Sequence, residues 1–318
     1  MTAPLVAAVT GGTGFLGRYI VAALAASGWK VRLLTRRAPL HPLLSEIPLE
    51  LVLGDLDDAS ALCRLVTGAS VIIHAAGLVK ARSAQEFFAI NADGTRRLAE
   101  AMARNAVAAR FVLISSQAAR HPHLSAYAAS KRAGEDAIIA ILGTTSWVIL
   151  RPCVVYGPWD IEGLAMMRMA RRSIAPAMTK PELRIALIHA RDAATAIAAL
   201  SPGGPSHAVF EISDERIDGY GWAELLATIG DALGNRPRML HVPDLLLSAA
   251  GAASDGLATL SGKPAIFGRA KLREILHRDW APDRKMRLPD ALWAPHITLQ
   301  SGIAETVAWW KSAGYLRV

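Results

Sequence analysis

The sequence predicts an α/β protein in which a doubly wound parallel sheet is followed by a smaller C-terminal α/β lobe. From residue 5 to about residue 150, short apolar segments alternate with amphipathic segments of helical period. This alternation is typical of a parallel sheet whose two faces are covered by helices. After Arg151 and Pro152 the pattern changes, and Pro, Gly and Trp become frequent. A boundary is therefore predicted near residue 150.

The predicted strands of the first part are short and largely apolar on both faces. They are residues 5–9, 31–34, 49–53, 71–74, 111–114 and 147–150. Helical periodicity between them is clearest in residues 16–27, which stop at Gly28, in residues 91–105, and in residues 127–142. This order of elements predicts one continuous parallel sheet.

The second part, residues 151–318, contains neither a linker nor an internal repeat. Helical patterns rich in small residues are found at residues 191–200 and 222–233. We predict that this part forms the smaller lobe and is partly threaded back into the sheet. A ligand cleft is expected between the two parts, beyond the carboxyl ends of the strands.

Composition and charge narrow the classes of function. Hydrophobic residues make up 52% of the 318 residues, so the chain can bury a large core and is not predicted to be disordered. The formal net charge is +8, but Lys and Arg are spread along the chain and no basic run is interleaved with aromatics. Nucleic-acid binding is therefore not predicted. A phosphate-bearing cofactor, an acidic ligand or a membrane surface would each suit this charge.

The N-terminus and the hydropathy predict a cytoplasmic protein. Residues 1–4 carry no basic residue, so no signal peptide is predicted, and no segment has the roughly 20 apolar residues of a membrane span. The nearest candidate, residues 245–260, is interrupted by Asp255. Cys63 and Cys153 show no metal-ligand spacing and fit a reducing compartment, so no metal site is predicted.

Three glycines follow the first predicted strand and precede a predicted helix. Gly11 allows a tight turn, Gly14 lets the backbone approach a pyrophosphate, and Gly17 lets the helix pack closely on the strand. The free N–H groups and the dipole of the helix N-terminus favour the bound phosphates. This loop predicts a Rossmann-type fold, with residues 1–150 as the dinucleotide-binding domain.

The end of the second predicted strand indicates which dinucleotide fits. NAD sites usually hold the ribose hydroxyls with an acidic residue here, whereas NADP sites place a cation against the 2′-phosphate. The strand runs into Thr35, Arg36 and Arg37, with no carboxylate. Because two guanidinium groups clamp a phosphate well, NADP is favoured over NAD. A solvated surface, with Arg36 stacked on the adenine, is the alternative interpretation.

Tyr127 and Lys131 begin a predicted helix and, four residues apart, share one of its faces. A phenol is a poor base at neutral pH, but a nearby ammonium stabilises the phenolate and makes tyrosine a usable acid or base. Ser115 and Ser116 end the fifth predicted strand, where a hydroxyl can orient a carbonyl or an alcohol. Together with the nucleotide loop, this order predicts a catalytic site.

These segments resemble the extended short-chain dehydrogenase/reductase family, also called the NAD(P)-dependent epimerase/dehydratase family. The matching segments are Thr10-Gly11-Gly12-Thr13-Gly14-Phe15-Leu16-Gly17, Gly54-Asp55-Leu56, His74-Ala75-Ala76-Gly77, Asn91, Ser115-Ser116, Tyr127 with Lys131, Arg151-Pro152-Cys153-Val154-Val155-Tyr156-Gly157-Pro158 and residues 302–310. The resemblance covers nearly the whole chain and implies a nicotinamide cofactor bound to a Rossmann domain, with a substrate-binding lobe.

The resemblance also implies roles for single residues. Ser116 is expected to polarise the substrate oxygen, Tyr127 to pass the proton and Lys131 to bind the nicotinamide ribose. Asn91 is expected to hold a helix bend near the active site. The expected cofactor contacts are Gly11, Thr13, Gly14, Phe15, Leu16, Gly17, Arg36, Arg37, Asp55, Leu56 at the adenine, Ala75, Ala76, Gly77, Ser115, Tyr127, Lys131, and Pro152 and Val155 beside the nicotinamide. Helix capping is the alternative for Asp55 and Asn91, and the favoured interpretation of Asp192.

The chain departs from the sugar-nucleotide members of this family. Tyr127 follows Ser116 by only 11 positions, which suggests a more open pocket or a different substrate. The short loop carries His121 and His123, which are expected to face solvent; entry into the site is the alternative. Gln117 and Ala118 replace the acid pair that sugar dehydratases need. The segment after Arg151 looks more like the reductase and hydroxysteroid branches. Apolar residues that would suit a hydrophobic alcohol or ketone follow in the lobe: Trp159, Met166, Met167 and Met169.

Three functions stay open from the sequence. Hydride transfer between NADP(H), or NAD(H), and a hydrophobic secondary alcohol or ketone is favoured. Epimerisation of a nucleotide sugar with tightly held NAD is the second. The third is a cofactor-bound, non-catalytic assembly subunit, in which the basic residues 263–287 would dock an acidic partner or a membrane. The resemblance also implies a homodimer.

Overall fold

The computed structural model describes residues 5–178, 183–243, 249, 251–254, 273–274, 276–277 and 279–316. The chain divides into two compact units. The first comprises Met1–Pro152, Ala193–Ile212 and Lys285–Ala294, and the second comprises Cys153–Asp192, Ser213–Arg284 and Pro295–Val318. Most of the apolar residues 245–260 and nearly half of the basic segment 263–287 lie outside the described part of the chain.

The described residues form fourteen named strands and nine named α-helices. The strands are β1 (Val6–Thr10), β2 (Lys30–Thr35), β3 (Leu49–Leu53), β4 (Val71–His74), β5 (Arg110–Ile114), β6 (Trp147–Pro152), β7 (Val154–Tyr156), β8 (Ile174–Met178), β9 (Arg184–Ile185), β10 (Leu187–His189), β11 (Ala208–Ile212), β12 (Tyr220–Gly221), β13 (Arg238–Val242) and β14 (Asp279–Trp280). The helices are α1 (Phe15–Ala26), α2 (Ala59–Val66), α3 (Ala84–Phe88), α4 (Gly94–Asn105), α5 (Ala126–Leu142), α6 (Leu164–Ala170), α7 (Ala190–Leu200), α8 (Trp222–Leu233) and α9 (Leu299–Ser312). None of the helices in the described ranges is long and apolar enough to span a membrane.

The first unit is built on a seven-stranded parallel sheet with the order β11-β6-β5-β4-β1-β2-β3. This confirms the predicted doubly wound α/β fold, and each predicted strand is present with its ends shifted by a few residues at most. The strand order reverses between β1 and β4, so their carboxyl ends form the crevice in which such sheets bind ligands. Strand β11 adds an edge strand beside β6 and is contributed by residues from beyond position 151.

Helices α2, α4 and α5 lie side by side on the sheet of the first unit. The central strands are buried on both faces, which explains their continuous apolar sequences. Beneath these helices the core is fully buried around Ile72, Leu98, Met102, Phe111 and Ile138. Packing of this apolar layer holds the strand ends, and therefore the loops that follow them, in fixed positions.

The helix predicted for residues 91–105 differs from the structure at its start. Helix α3 continues through one π-helical turn, Ala89–Asp93, into α4 at Gly94. Asn91 lies within this turn, so it is not a helix N-cap. A π turn inserts one extra residue into a helix and is frequent at functional sites, because it redirects the side chains within it.

The second unit contains three small sheets and a helical core. Strands β7 and β10 pair in parallel, β12, β9 and β14 form a three-stranded sheet, and β8 and β13 pair in parallel. Helix α8, predicted with the same bounds, packs against α6 and α9. Their shared core includes Leu225, Ile303 and Trp310, each of which is almost completely buried.

Candidate active site

The first glycine loop has the shape of a phosphate cradle. Gly11 has φ +72°, and a Cβ there would lie 2.4 Å from the backbone nitrogen of Ala76. A Cβ on Gly17 would lie 2.0 Å from the carbonyl oxygen of Gly11. Side chains are therefore excluded at both positions. Helix α1 begins after an extended Gly14 without a side-chain cap, so its first N–H groups can bind an anion.

The remaining loop residues surround the start of α1. Thr13 is exposed, and Phe15 and Leu16 are half-buried. The ring of Phe15 packs edge-on against Tyr19, one turn later in the helix. The close backbone approach and the uncapped helix N-terminus together fit the pyrophosphate of a dinucleotide.

Two arginines follow the carboxyl end of β2. Arg36 and Arg37 are both exposed, and in the described part of the chain neither forms an ion pair with a carboxylate. The hydroxyl of Thr35 donates to the carbonyl oxygen of Arg37 at 2.5 Å, which closes a short turn. The turn places two guanidinium groups at the sheet edge where β1 also ends.

The loop after β3 contains Asp55 and Leu56. Asp55 is exposed and accepts a hydrogen bond from the backbone N–H of Asp57 at 2.9 Å. Helix α2 is capped instead by Asp58, which accepts from the N–H of Ala61, so the capping alternative for Asp55 is wrong. Leu56 is buried in the core of the unit, and its side chain packs where α4 begins.

The segment after β4 is held by Asn91 from the π turn. The side chain of Asn91 accepts from the N–H of Leu78 at 2.7 Å and donates to the Leu78 carbonyl at 3.0 Å. It also donates to the hydroxyl of Ser130 on α5 at 3.0 Å. Ala75 and Ala76 are half-buried, and the exposed Gly77 lies against Asn91 and the ammonium of Lys131.

Tyr127 lies in the first turn of α5. The helix is capped by Ser125, whose hydroxyl accepts from the N–H of Ala128 at 3.0 Å. The Tyr127 ring is half-buried and contacts Phe87 at a centroid distance of 5.8 Å. Its carbonyl accepts from the hydroxyl of Ser130, which connects this turn to Asn91. The cap fixes where α5 begins, and the ring contact packs the Tyr127 ring against Phe87.

Lys131 is almost completely buried one turn after Tyr127. Its ammonium donates to the carbonyl oxygen of Ile114 at 2.8 Å. Burial lowers the pKa of Lys131 to about 8, and the carboxylate of Glu135 opposes this shift. The ammonium is therefore held at the end of β5, two residues before Ser116.

The two serines after β5 differ in environment. Ser116 is half-buried and its hydroxyl accepts from the N–H of Ala118, where it begins a short 3-10 turn, Gln117–Arg120. Ser115 is buried, and its hydroxyl donates to Glu135 at 2.5 Å. Ser116 is therefore the serine with access to a ligand, whereas the hydroxyl of Ser115 is directed into the protein.

Glu135, which the sequence analysis did not single out, lies at the centre of a buried polar network. Arg151 at the end of β6 donates to both of its carboxylate oxygens, at 2.9 and 2.6 Å. With the bond from Ser115, the Glu135 carboxylate connects α5 to the ends of β5 and β6. Glu135 follows Lys131 by four residues on the same helix face, and this spacing could have indicated from the sequence that the two side chains interact.

His74, at the end of β4, entered the sequence analysis only as part of the family motif. The ring is fully buried, with Nδ1 2.6 Å from the Thr10 hydroxyl and Nε2 2.9 Å from the Thr95 hydroxyl. Burial, and secondarily the charge of Lys131, lower the pKa of His74 to about 3. The imidazole is therefore neutral and joins β1, β4 and α4 by hydrogen bonds.

Two other predicted residues, His121 and Asp192, are placed differently, whereas His123 is exposed as expected. His121 is half-buried and accepts from Arg120. Helix α7 begins at Ala190, so Asp192 lies within its first turn and is not its N-cap. Its carboxylate accepts from the N–H groups of His296 and Ile297.

The apolar residues expected near a substrate belong to the core of the second unit. Met167 is buried there, Met166 and Met169 pack against that core, and the ring of Trp159 contacts Trp309. These side chains satisfy the packing between α6, α8 and α9. They therefore give no evidence about the substrate.

The structure brings together most of the predicted catalytic residues. Asn91, Tyr127 and Lys131 are linked by hydrogen bonds or by their shared helix, and Lys131 is bonded to the strand that ends at Ser116. Pro152 is the last residue of β6 at the same sheet edge, and the half-buried Val155 belongs to β7 of the second unit. A phenol, a buried ammonium and a serine hydroxyl therefore lie on neighbouring segments, α5 and the end of β5, of the first unit.

The sequence of this chain is similar to those of known proteins. The model of the NAD dependent epimerase/dehydratase family matches residues 7–212. Ceramide reductase from Caulobacter vibrioides is 45% identical over 312 residues, covering 98% of this chain and 96% of that protein. A farnesyl-dihydroquinoline-oxide ketoreductase from Stigmatella aurantiaca is 31% identical over 183 residues, covering 52% of this chain and 54% of the relative.

Solved structures show the same fold at low sequence identity. One is the dTDP-glucose 4,6-dehydratase DesIV from Streptomyces venezuelae, crystallised with NAD and TYD. It superposes with a TM-score of 0.72 at 21% identity, covering 98% of each chain. The likeness at this identity concerns the fold.

Proposed function

Since the chain belongs to the NAD dependent epimerase/dehydratase family of NAD(P)-dependent oxidoreductases, we propose that it reduces a ketone of the ceramide class of lipids. The observation that carries the proposal is the 45% identity to a ceramide reductase, which extends over nearly the full length of both chains. The ketoreductase from Stigmatella, whose named substrate also carries a long apolar group, supports a hydrophobic ketone.

The proposed reaction assigns one step to each residue of the site. Reduction adds a hydride to the carbonyl carbon and a proton to its oxygen. The nicotinamide dinucleotide, when bound, supplies the hydride. Ser116 donates a hydrogen bond to the carbonyl oxygen, and the Tyr127 hydroxyl transfers its proton to that oxygen. The cation of Lys131 stabilises the phenolate that remains until a proton from solvent replaces the one transferred.

We further propose that NADP is the preferred dinucleotide. Gly11, Gly14 and Gly17 would hold the pyrophosphate at the N-terminus of α1. Arg36 and Arg37, exposed at the end of β2, would bind the 2′-phosphate through charge-assisted hydrogen bonds.

The test is turnover of a ceramide-class ketone dispersed in detergent, with NADPH consumption and the reduced lipid measured together. Tyr127→Phe is expected to lower kcat by about 100-fold or more, because general acid catalysis is removed. Ser27→Ala, which removes an exposed hydroxyl at the end of α1, should leave kcat unchanged. Full activity of Tyr127→Phe would contradict the assigned role, and turnover of nucleotide sugars alone would contradict the substrate class.

A further inference from the structure

The strand pair β8 and β13 in the second unit has one buried and one exposed face. The parallel register places Ile174 beside Arg238, and Ala175 beside Met239. Because side chains alternate across a strand, these two pairs point to opposite faces. Ala175 is fully buried and Met239 packs on the core, whereas Ile174 is 56% exposed.

The exposed face combines apolar and cationic side chains. Leu240, two residues after Arg238, lies on the same face beside Pro176 and is 59% exposed. Arg238 is also exposed. We call the set Ile174, Pro176, Arg238 and Leu240 the docking face. Ile174 and Leu240, close together on one face of one strand pair, form a small contiguous apolar patch of the kind that a partner surface covers.

Positive charge is concentrated next to the docking face. Residues 163–178 contain Arg168, Arg171 and Arg172 but no acidic residue. Within the described part of the chain, Arg168, Arg172 and Arg238 form no ion pair, although most other surface arginines of the second unit do. These exposed guanidinium groups keep their full attraction for an anionic surface.

An open cleft adjoins this basic segment. It has a volume of about 360 Å³ and is lined by Arg168, Arg171, Gly314, Tyr315 and Leu316. Two guanidinium groups at its wall suit a phosphate group, because arginine binds phosphate oxygens with two parallel hydrogen bonds. The cleft and the docking face are joined by the short segment from Arg171 to Ile174.

We propose that the docking face binds the surface of a bilayer that contains anionic phospholipids. Ile174 and Leu240 enter the interface between headgroups and acyl chains, and the neighbouring arginines bind lipid phosphates. An acidic protein partner would match the charge but would leave the exposed aliphatic side chains unexplained. The proposal extends the proposed function, on which it partly rests, because an enzyme for a membrane lipid needs to reach the bilayer.

The experiment is flotation of the full chain with vesicles of phosphatidylcholine alone or mixed with phosphatidylglycerol. The protein should float with the mixed vesicles, and binding should weaken as salt is raised. Arg238→Glu should weaken binding by about tenfold or more, since about 1 kcal/mol is associated with each charge near such a surface. The double variant Ile174→Ser, Leu240→Ser should also bind at least about fivefold more weakly.

Matched controls lie in the first unit. Arg104→Glu makes the same change in net charge on α4, and Leu5→Ser with Val107→Ser removes two aliphatic side chains that are 53% and 63% exposed. Both controls should bind like the unchanged protein. Equal weakening in the controls and in the docking-face variants would overturn the proposal, as would equal binding to both kinds of vesicle.

Two further results separate this proposal from the proposed function. Binding to anionic vesicles without turnover of a ceramide-class ketone would support the docking face and contradict the reductase. Turnover in detergent without binding to vesicles would support the reductase and overturn the docking face. Binding to polyglutamate, but not to vesicles, through Arg238 would assign the surface to an acidic protein and overturn the membrane proposal.

Discussion

At the scale of single residues, the proposed chemistry depends on the charge of one buried ammonium. Burial lowers the pKa of Lys131 to about 8, against about 10.4 for an unperturbed lysine. The carboxylate of Glu135, one helical turn further along α5, acts in the opposite direction and favours the charged form. Lys131 is therefore a cation at neutral pH and loses its charge as the pH rises through about 8.

The pH dependence of kcat tests this role. In the reduction direction, kcat should be highest below about pH 8 and should fall above it, because neutral Lys131 no longer stabilises the phenolate of Tyr127. Glu135→Gln removes the carboxylate that favours the charged form of Lys131, so the fall in kcat should begin at a lower pH. The control Glu100→Gln, on the exposed surface of α4, should leave the pH of this fall unchanged. An unchanged profile in Glu135→Gln would contradict the electrostatic link.

The choice of dinucleotide is also decided by single residues. Replacement of both Arg36 and Arg37 by Ala should raise the KM for NADPH by about tenfold for each charge-assisted hydrogen bond that is removed. The KM for NADH should change little, because NADH has no 2′-phosphate. Steady-state kinetics with each nucleotide measure the two KM values. A parallel change in both KM values would show that the arginines do not read the 2′-phosphate.

At the scale of elements, α5 is joined to the sheet by a buried ion pair. Glu135 and Arg151 are both nearly inaccessible to solvent, and the guanidinium holds the carboxylate through two hydrogen bonds. The hydrogen bond from Ser115 adds the end of β5 to the same carboxylate. The ion pair positions the helix that carries Tyr127 against the end of β6, and the Ser115 bond positions it against the end of β5.

Removal of one member of the Glu135–Arg151 pair should lower the stability of the protein strongly. Arg151→Met leaves the Glu135 carboxylate buried without its cation and should lower the free energy of unfolding by about 3–5 kcal/mol. Arg151→Met combined with Glu135→Gln should recover most of that stability, since neither member of the ion pair is then left buried as a charge without its partner. Urea unfolding measures both. The control Arg96→Met breaks an exposed ion pair with Glu100 and should lower the free energy of unfolding by less than about 1 kcal/mol. An equally small loss in Arg151→Met would contradict the role of the buried ion pair.

At the scale of the whole molecule, each unit contains a buried neutral histidine. Burial lowers the pKa of His74 in the first unit to about 3 and that of His189 in the second unit to about 4. An unfolded chain binds these protons near pH 6.5. Below that pH the unfolded state therefore binds more protons than the folded state, and acid favours unfolding. Asp214 has the opposite effect on stability. Because burial raises its pKa to about 6, the folded state binds this proton more readily than the unfolded state does.

The free energy of unfolding should therefore fall as the pH is lowered from about 6.5 towards 4. The two histidines together should contribute up to about 2.7 kcal/mol per pH unit, and Asp214 should reduce this slope. Urea unfolding at successive pH values measures it. His74→Gln should make the slope shallower, whereas a substitution of the exposed His207 by Gln should not. A slope that is identical in all three proteins would contradict the role of His74.

The sequence by itself determined the parts of this protein that depend on neighbouring residues. The strands, the glycine loop and helix α5 with Tyr127 and Lys131 were predicted because periodicity, turn chemistry and helical spacing are local properties. The start of α4 was predicted wrongly, because the π turn at Asn91 is held by hydrogen bonds to Leu78 and Ser130 rather than by a local signal.

The tertiary structure alone decided which distant residues meet. It paired Glu135 with Arg151 and directed Asp192 to the backbone of His296 and Ile297. It placed the methionines of α6 in a core, and it set Ile174 beside Arg238 on an exposed face. The physical reason is that burial and pairing depend on the packing of elements that lie far apart in the chain, and local sequence patterns do not specify that packing.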